Sequence, residues 1–138
     1  PKAAAQLKAD IESHGLGNRI AILGAVPAQR LGELYAEADI FALASRFEGY
    51  GMAYAEAIAH GVPVVGTNAG AIPGTVPADA GLLVAPDDAT AFASALRRLI
   101  GNKDERRRFA DAARSTAAQL PTWPESAKLF ARALEAMA

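Results

Sequence analysis

Hydrophobic and polar positions along the chain alternate between helical spacing and short apolar runs typical of buried strands. Leu7 and Ile11 lie four residues apart in residues 3–14, which precede Gly15, and this pattern predicts a first helix. Apolar runs predict strands at residues 19–27, 39–45, 62–67 and 81–84. Helical spacing predicts further helices at 31–38, 52–60 and 89–100, and from 103 onward with an interruption at 120–124.

The alternation of strands and helices across short loops predicts an α/β fold. Such a chain forms a Rossmann-like parallel sheet with helices on both faces and right-handed connections. With 138 residues, we expect residues 1–138 to form a single domain. The chain begins at Pro1 and enters a helical pattern at once, so we expect it to be part of a longer protein.

Composition excludes several classes of partner and site. The chain carries 14 basic and 15 acidic residues and a net charge of −1, which argues against a nucleic-acid partner. It contains no cysteine, which excludes disulfides and thiolate metal sites and fits a cytoplasmic protein. No apolar run approaches the roughly 20 residues of a transmembrane helix.

The loop at residues 46–51 is the predicted ligand site. Open parallel sheets bind ligands at the carboxyl ends of their strands, and this loop joins the strand ending at Ser45 to the helix starting at Met52. Gly49 and Gly51 are expected to adopt backbone dihedrals that a side chain would forbid. The free amides and dipole of the helix start would then attract phosphate or electron-rich hydroxyls.

Two glutamates flank this helix start. Glu56, about one turn into the helix, can accept two hydrogen bonds from a vicinal diol such as ribose, while Glu48 lies on the loop nearer the reacting end. A glycoside hydrolase would need carboxyls about 5 to 9.5 Å apart on opposite sides of one sugar bond. Glu48 and Glu56 are instead expected to face one crevice and to address different parts of an extended ligand. Both could also be ordinary surface carboxylates.

The same residues resemble a known family motif. Residues 48–57 read EGYGMAYAEA and are followed by AHGVPVV at 59–65. This stretch is similar to the motif of two glutamates separated by seven residues in the C-terminal, donor-binding domain of retaining GT-B glycosyltransferases of family 4 (glycosyl transferases group 1). Flanking segments match in the family's order, so the resemblance covers nearly the whole chain; they are 18–27, 37–41, 68–73, 80–84, the helix after Asp88 and the helix at Trp123.

The resemblance implies an activity and a role for individual residues. Such enzymes transfer a sugar from a nucleoside diphosphate sugar to an acceptor with retention, the leaving phosphate helps to deprotonate the acceptor, and no metal or other cofactor is needed. Glu48 would be the catalytic-site glutamate that holds the donor sugar, and Glu56 would bind the ribose. The other implied substrate-binding residues are Gly49, Tyr50, Gly51 and Met52 around the sugar and phosphates, and the backbone of Gly24, Ala25 and Val26 at the base.

The chain also departs from the family pattern. Residues 1–45 contain nothing like the basic Arg and Lys pair that neutralises the diphosphate, and an N-terminal acceptor-binding domain is missing. The family places two further strands between the runs 20–23 and 40–43, so we expect those two runs not to pair directly. Tyr50 replaces a commoner Phe, and Ala69 and Gly74 replace Gly and Glu. The isolated chain is therefore expected to be inactive, and the resemblance allows peripheral membrane contact of the complete enzyme.

Simpler structural interpretations apply to several other residues. His14 and His60 are expected to cap helix carbonyls, and Asp87-Asp88 to cap the next helix. Arg46 would either reach a phosphate or form a surface ion pair.

Three further predictions concern the last third of the chain. Residues 103–108, KDERRR, are expected to form a solvated helix face. Trp123 is expected to anchor the last helix by packing. An apolar stripe at Ala127, Phe130, Ala131 and Leu134 would contact the core or the missing domain.

An alternative function stays open. The same fold could serve as a nucleotide-binding or interaction module without transfer chemistry, because a fold does not fix a function. A related phosphorylase, which would use inorganic phosphate, is a weaker variant. Neither the nucleotide, the sugar nor the acceptor follows from the sequence.

Overall fold

A parallel sheet of three short strands organises the larger part of the chain. The computed structural model describes residues 2–120 and 122–137. Strands β1 (Phe41–Ala42), β2 (Val64–Thr67) and β3 (Gly81–Val84) lie in the order β1-β2-β3. Phe41 pairs with Val64, and Val64 pairs in turn with Gly81. The predicted α/β class with a parallel sheet is confirmed.

The described residues contain seven helices, of which α3 and α5 pack against the strands. Each helix predicted from the sequence is present within a few residues of its expected bounds, and a four-residue helix, α4, was not predicted. The helices are α1 (Lys2–Ser13), α2 (Ala28–Glu37), α3 (Met52–Ala59), α4 (Ile72–Thr75), α5 (Ala89–Gly101), α6 (Lys103–Ala117) and α7 (Trp123–Glu135).

Apolar side chains bury both faces of the sheet. Val64 and Val65 are adjacent in β2 and therefore point to opposite faces. Val64 belongs to one core cluster, together with Tyr54 and Ile58 of α3. Val65 belongs to a second cluster, together with Leu99 of α5. Helices on both faces of the sheet are thus confirmed.

The predicted strand at residues 19–27 is wrong. This segment is irregular, and the side chains of Ile20, Ile22 and Leu23 are 43%, 52% and 52% exposed. No strand is assigned within it, and the one partner of β1 among the described residues is β2. An extended run without a neighbouring strand has no partners for its backbone N–H and C=O groups, so apolar composition alone does not make it a strand.

The chain divides into two compact units, Pro1–Leu31 and Gly32–Ala138, each described by itself. In the first, the Leu16 N–H donates to the Ile11 carbonyl at 2.9 Å where α1 ends, and Gly15 has a φ of 65°. His14 Nδ1 lies 2.8 Å from the Asp10 carbonyl oxygen, so the predicted capping role of His14 is confirmed. The prediction of a single domain over residues 1–138 stays a prediction.

Helices α5 and α6 meet at a buried carboxylate. Asp88 caps α5 as predicted, since its Oδ1 accepts from the Ala91 N–H at 2.8 Å. The predicted solvated face at 103–108 is confirmed for the exposed Lys103, Asp104, Arg107 and Arg108, but it is wrong for Glu105, which is only 8% exposed. Its carboxylate accepts from Arg98 Nε at 2.9 Å and Nη2 at 2.5 Å. These hydrogen bonds lower the pKa of Glu105.

The last helix is not packed against the core. Trp123 is 89% exposed, so its predicted role as a packing anchor is wrong. A capping box between Thr122 and Glu125 defines the start of α7 instead. The apolar stripe, including Phe130 at 67% exposure, does not contact the core. The predicted interruption at 120–124 includes Pro121, which lies outside the described residues.

None of the helices described here is both long and apolar enough to cross a membrane.

Candidate functional site

The loop from Ser45 to Gly51, called the crevice loop below, lies at the carboxyl edge of the sheet. It enters α3 at Met52, as the sequence predicts, but the predicted strand at 39–45 is shorter than expected, because β1 ends at Ala42. Glu48 is half-buried, and its Oε1 accepts a hydrogen bond from Ser45 Oγ at 2.7 Å. This bond orients the Glu48 carboxylate within the loop.

Two threonines from neighbouring elements fix the backbone of the crevice loop. Thr67, at the end of β2, donates through Oγ1 to the Ser45 carbonyl at 2.5 Å. Thr75 of α4 donates to the Tyr50 carbonyl at 2.5 Å. Both hydroxyls satisfy loop carbonyls that no regular ladder would satisfy, so the loop is held in one conformation.

Two glycines allow the backbone to pack closely at the crevice loop. Gly51, the residue before α3, is buried and has a φ of 86°, as predicted. Gly49 does not have a positive φ, and a Cβ there would meet no atom within 4 Å, so the prediction of a forbidden dihedral at Gly49 is wrong. Gly70 makes the second approach: a Cβ on it would lie 2.4 Å from the Glu48 carbonyl oxygen.

The first turn of α3 presents backbone amides at the crevice loop. Gly51 supplies no side-chain cap, and the first α3 residues have no partner preceding them in the helix. Met52 and Tyr50 are 62% and 61% exposed beside this helix end. An uncapped helix start with exposed flanks can bind an anion through its amides and dipole.

Glu56 is held by a tyrosine that the sequence did not single out. Tyr35 Oη donates to Glu56 Oε2 at 3.2 Å and lies 3.4 Å from the Ala53 carbonyl oxygen. Burial and, secondarily, the Glu56 carboxylate raise the pKa of Tyr35, so the phenol keeps its proton and stays a donor. The second carboxylate oxygen of Glu56 accepts no hydrogen bond within the described part of the chain and can take a ligand hydroxyl.

The other predicted site residues are placed as follows. Gly24, Ala25 and Val26 belong to the first compact unit, in irregular backbone where Gly24 has a φ of 64°. Their contact with a base stays a prediction. Arg46 forms the surface ion pair that was one of its two predicted roles, with Nε 2.8 Å from Asp87 Oδ1. His60 does not cap carbonyls with its side chain; its ring stacks on Tyr35 at 5.1 Å.

A cavity of about 330 Å³ also opens at the carboxyl edge of the sheet. Thr67 and Asp87 line it, together with Phe92 of α5. None of the predicted donor-binding residues lines this cavity, although it adjoins the crevice loop through Thr67, which bonds Ser45, and Asp87, which pairs with Arg46. In the described part of the chain, no group of three His, Asp or Glu side chains is arranged to hold a metal ion.

Ser45, Thr67, Gly70 and Thr75 were missed by sequence reasoning. Each contributes to the crevice loop through a hydrogen bond or a close contact that forms only in the folded chain. The one sequence signal is the position of Thr67 at the carboxyl end of a predicted strand, where ligand-site residues concentrate.

Comparisons with known proteins identify a family to which the chain is similar. The family described as "Glycosyl transferases group 1" matches residues 1–116. The D-inositol 3-phosphate glycosyltransferase of Corynebacterium urealyticum is 33% identical over 129 residues, which cover 93% of this chain and 30% of that enzyme. The chain therefore spans less than a third of the length of this relative.

Solved GT-B glycosyltransferases share the fold. Sucrose-phosphate synthase from Thermosynechococcus elongatus superposes with a TM-score of 0.84 at 28% identity, over 97% of this chain and 35% of that one. Anabaena Alr3699/HepE, solved in complex with UDP, gives 0.86 at 27% identity, over 96% and 36%. Another structure of HepE contains UDP-glucose. The chain belongs to the glycosyl transferases group 1 family.

Proposed function

We propose that this chain is the donor-binding part of a retaining glycosyltransferase, which transfers a sugar from a nucleoside diphosphate sugar to an acceptor held by another domain. The observation that carries the proposal is the crevice loop, which fixes Glu48 beside the uncapped start of α3. Solved complexes of HepE with UDP and UDP-glucose support a nucleotide sugar as the donor.

In this proposal the α3 amides bind the diphosphate. Negative charge grows on the diphosphate as the bond to the sugar breaks, and amides already oriented by the loop stabilise that charge without reorganisation. The Thr67 and Thr75 hydrogen bonds to loop carbonyls hold these amides in place. Catalysis then needs no metal at the diphosphate.

The two glutamates divide the donor between them. Glu48, oriented by Ser45, accepts hydrogen bonds from donor-sugar hydroxyls and positions the reacting carbon. Glu56, held by Tyr35 through one oxygen, offers the other oxygen to the ribose diol. Gly24, Ala25 and Val26 meet the base through their backbone. The departing phosphate accepts the acceptor's proton, so the acceptor bonds to the same face of the sugar from which the diphosphate leaves.

The acceptor and the remaining diphosphate charge need residues from outside this chain. We infer that the 138-residue chain binds its donor without catalysing sugar transfer. We also infer that the complete enzyme works in the cytoplasm and can contact a membrane surface peripherally. The exposed apolar stripe of α7, with Phe130 67% exposed, is available to contact the acceptor-binding domain.

Calorimetric titration of the chain with UDP-, GDP- and ADP-sugars, and with the bare nucleotides, tests the proposal. One nucleotide is expected to bind, and Glu56→Gln is expected to weaken that nucleotide about tenfold because it removes a charge-assisted hydrogen bond. The sugar-dependent gain in affinity is expected to disappear in Glu48→Gln. Glu12→Gln, an equal charge change on the exposed face of α1, is the matched control.

Two outcomes would contradict parts of the proposal. Nucleotide binding that is indifferent to Glu48→Gln would favour a nucleotide-binding module without transfer chemistry. Absence of binding by a folded chain and by the full-length protein would overturn donor binding itself.

A further inference from the structure

A second polar pocket lies at the opposite edge of the sheet from the crevice loop. It has a volume of about 270 Å³ and is called the amino-edge pocket here. Asp39, before β1, and Pro63, before β2, line it, so it sits where the strands begin. Its remaining walls are the end of α2 with Tyr35, the end of α3 with His60, and the α6 side chains Lys103, Arg106, Arg107 and Arg114.

The charge of the amino-edge pocket is unlike that of the chain. Four basic side chains of α6 line it against a single carboxylate, Asp39, although the whole chain has 14 basic and 15 acidic residues. The Asp39 side chain is 83% exposed and lies 3.5 Å from Arg106 Nε. A concave surface with one sign of charge focuses the field and raises the local concentration of counter-ions.

Two of the arginines are fixed in place by other contacts. Arg106 Nη1 donates to the Leu99 carbonyl at 2.8 Å, and its side chain is only 20% exposed. Arg114 packs its aliphatic stem over Gly61, where a Cβ would lie 2.5 Å from Arg114 Cγ. Arg114 also pairs with Asp111 at 2.5 Å. These contacts hold both guanidinium groups in place, each beside a carboxylate, so the unpaired positive charge of the pocket is that of Lys103 and Arg107.

The other two basic side chains are available to a ligand. Arg107 is exposed and, like Lys103, makes no ion pair or hydrogen bond within the part of the chain that the structure describes. An arginine fork binds two phosphate oxygens at once, and a lysine adds a point charge. The stacked Tyr35 and His60 rings, 14° from parallel, form a flat wall beside them.

We propose that the amino-edge pocket binds the phosphate group of a ligand at a site separate from the nucleotide sugar. Arg107 and Lys103 contact the phosphate oxygens directly, and Arg106 and Arg114, held by their own contacts, form the wall behind them. The proposal does not depend on the donor-binding function, because Asp39 and Pro63 precede the strands whereas Ser45 and Thr67 follow them. The phosphate belongs either to a small soluble molecule or to a lipid headgroup, which share this chemistry.

Titration of the 138-residue chain with inorganic phosphate, followed by amide chemical shifts, tests the site. We expect shifts at residues 60–62 and 103–107, and about tenfold weaker binding in Arg107→Gln because a charged hydrogen-bonding partner is lost. Arg97→Gln is the matched control, since Arg97 is an exposed arginine of α5 outside the pocket.

A second arm distinguishes the source of the phosphate. Sedimentation with phosphatidylglycerol vesicles, and with phosphatidylcholine vesicles for comparison, is expected to depend on Arg107 if the ligand is an anionic lipid. Binding of free phosphate without vesicle binding assigns a soluble ligand. The proposal is overturned if a folded chain binds neither probe, if Arg97→Gln weakens binding as much as Arg107→Gln, or if UDP displaces the phosphate.

Discussion

Gly70 is predicted to be indispensable to the crevice loop, although it lies outside that loop. Its φ of 56° falls in the left-handed region, and a Cβ there would lie 2.4 Å from the Glu48 carbonyl oxygen and 3.0 Å from the Glu48 nitrogen. The Gly70→Ala side chain therefore meets backbone atoms that cannot rotate away. We expect this substitution to displace the very residue proposed to hold the donor sugar.

The magnitude follows from two costs. A non-glycine residue in the left-handed region costs about 1 kcal/mol. Moving the Glu48 carbonyl out of contact, by about 1 Å to reach an ordinary van der Waals distance of 3.4 Å, also disrupts its 3.0 Å hydrogen bond from the Ala71 N–H. Loss of that hydrogen bond costs about 1 kcal/mol. The free energy of unfolding should therefore fall by about 2 kcal/mol.

Gly74→Ala provides the control within the same segment. Gly74 has no positive φ, and a Cβ on it would meet nothing within 4 Å, so alanine in α4 should leave the free energy of unfolding unchanged or raise it slightly. Urea unfolding measures both variants, and donor titration should show at least a tenfold loss in Gly70→Ala alone. Stabilities of the two variants within about 0.5 kcal/mol of each other would refute the reasoning.

Three further predictions follow from single contacts. Tyr35→Phe removes the donor to Glu56 Oε2, so nucleotide affinity should fall severalfold in calorimetry; unchanged affinity would show that Tyr35 does not position Glu56. Gly66→Ala places a Cβ 2.6 Å from the Tyr54 ring, and thermal unfolding should show a loss of about 2 kcal/mol. Because folding lowers the pKa of Glu105, the stabilisation from this carboxylate should be complete above its unfolded pKa and be lost as pH falls through its folded pKa. The difference in free energy of unfolding between wild type and Glu105→Gln, measured in urea, should therefore narrow from pH 7 to pH 3. A constant difference would argue against the Arg98 pairing.

The sequence predicts those parts of the site that depend on local pattern. Gly81–Val84, the start of α3 at Met52 and the cap at Asp88 were predicted because short-range signals specify them: an apolar run, a glycine before a helix and an N-cap aspartate. The placement of Glu48 and Glu56 on one loop and the helix that follows it rests on the same local information.

The contacts that hold the site are not local. The hydrogen bonds from Tyr35 to Glu56, Thr67 to Ser45 and Thr75 to Tyr50 join residues 21, 22 and 25 positions apart. Tyrosine and threonine occur in many strands and helices, so their residue types carry no signal of these partners. They contribute to the site only when folding brings their helices and strands together, and no pattern in a single sequence predicts those contacts.

The wrong strand at residues 19–27 has a related cause. Its pattern is as apolar as that of Val64–Thr67, yet Val64–Thr67 has a strand on each side and residues 19–27 have none in the described structure. β1 and β3 each pair on one side only, and they extend over two and four residues. A run therefore becomes a strand where at least one neighbouring strand pairs with it, because the backbone groups of an extended run are satisfied by its neighbours rather than by its own side chains. An apolar run in a sequence predicts burial in a sheet, and the partners that the sheet supplies decide whether the run becomes a strand.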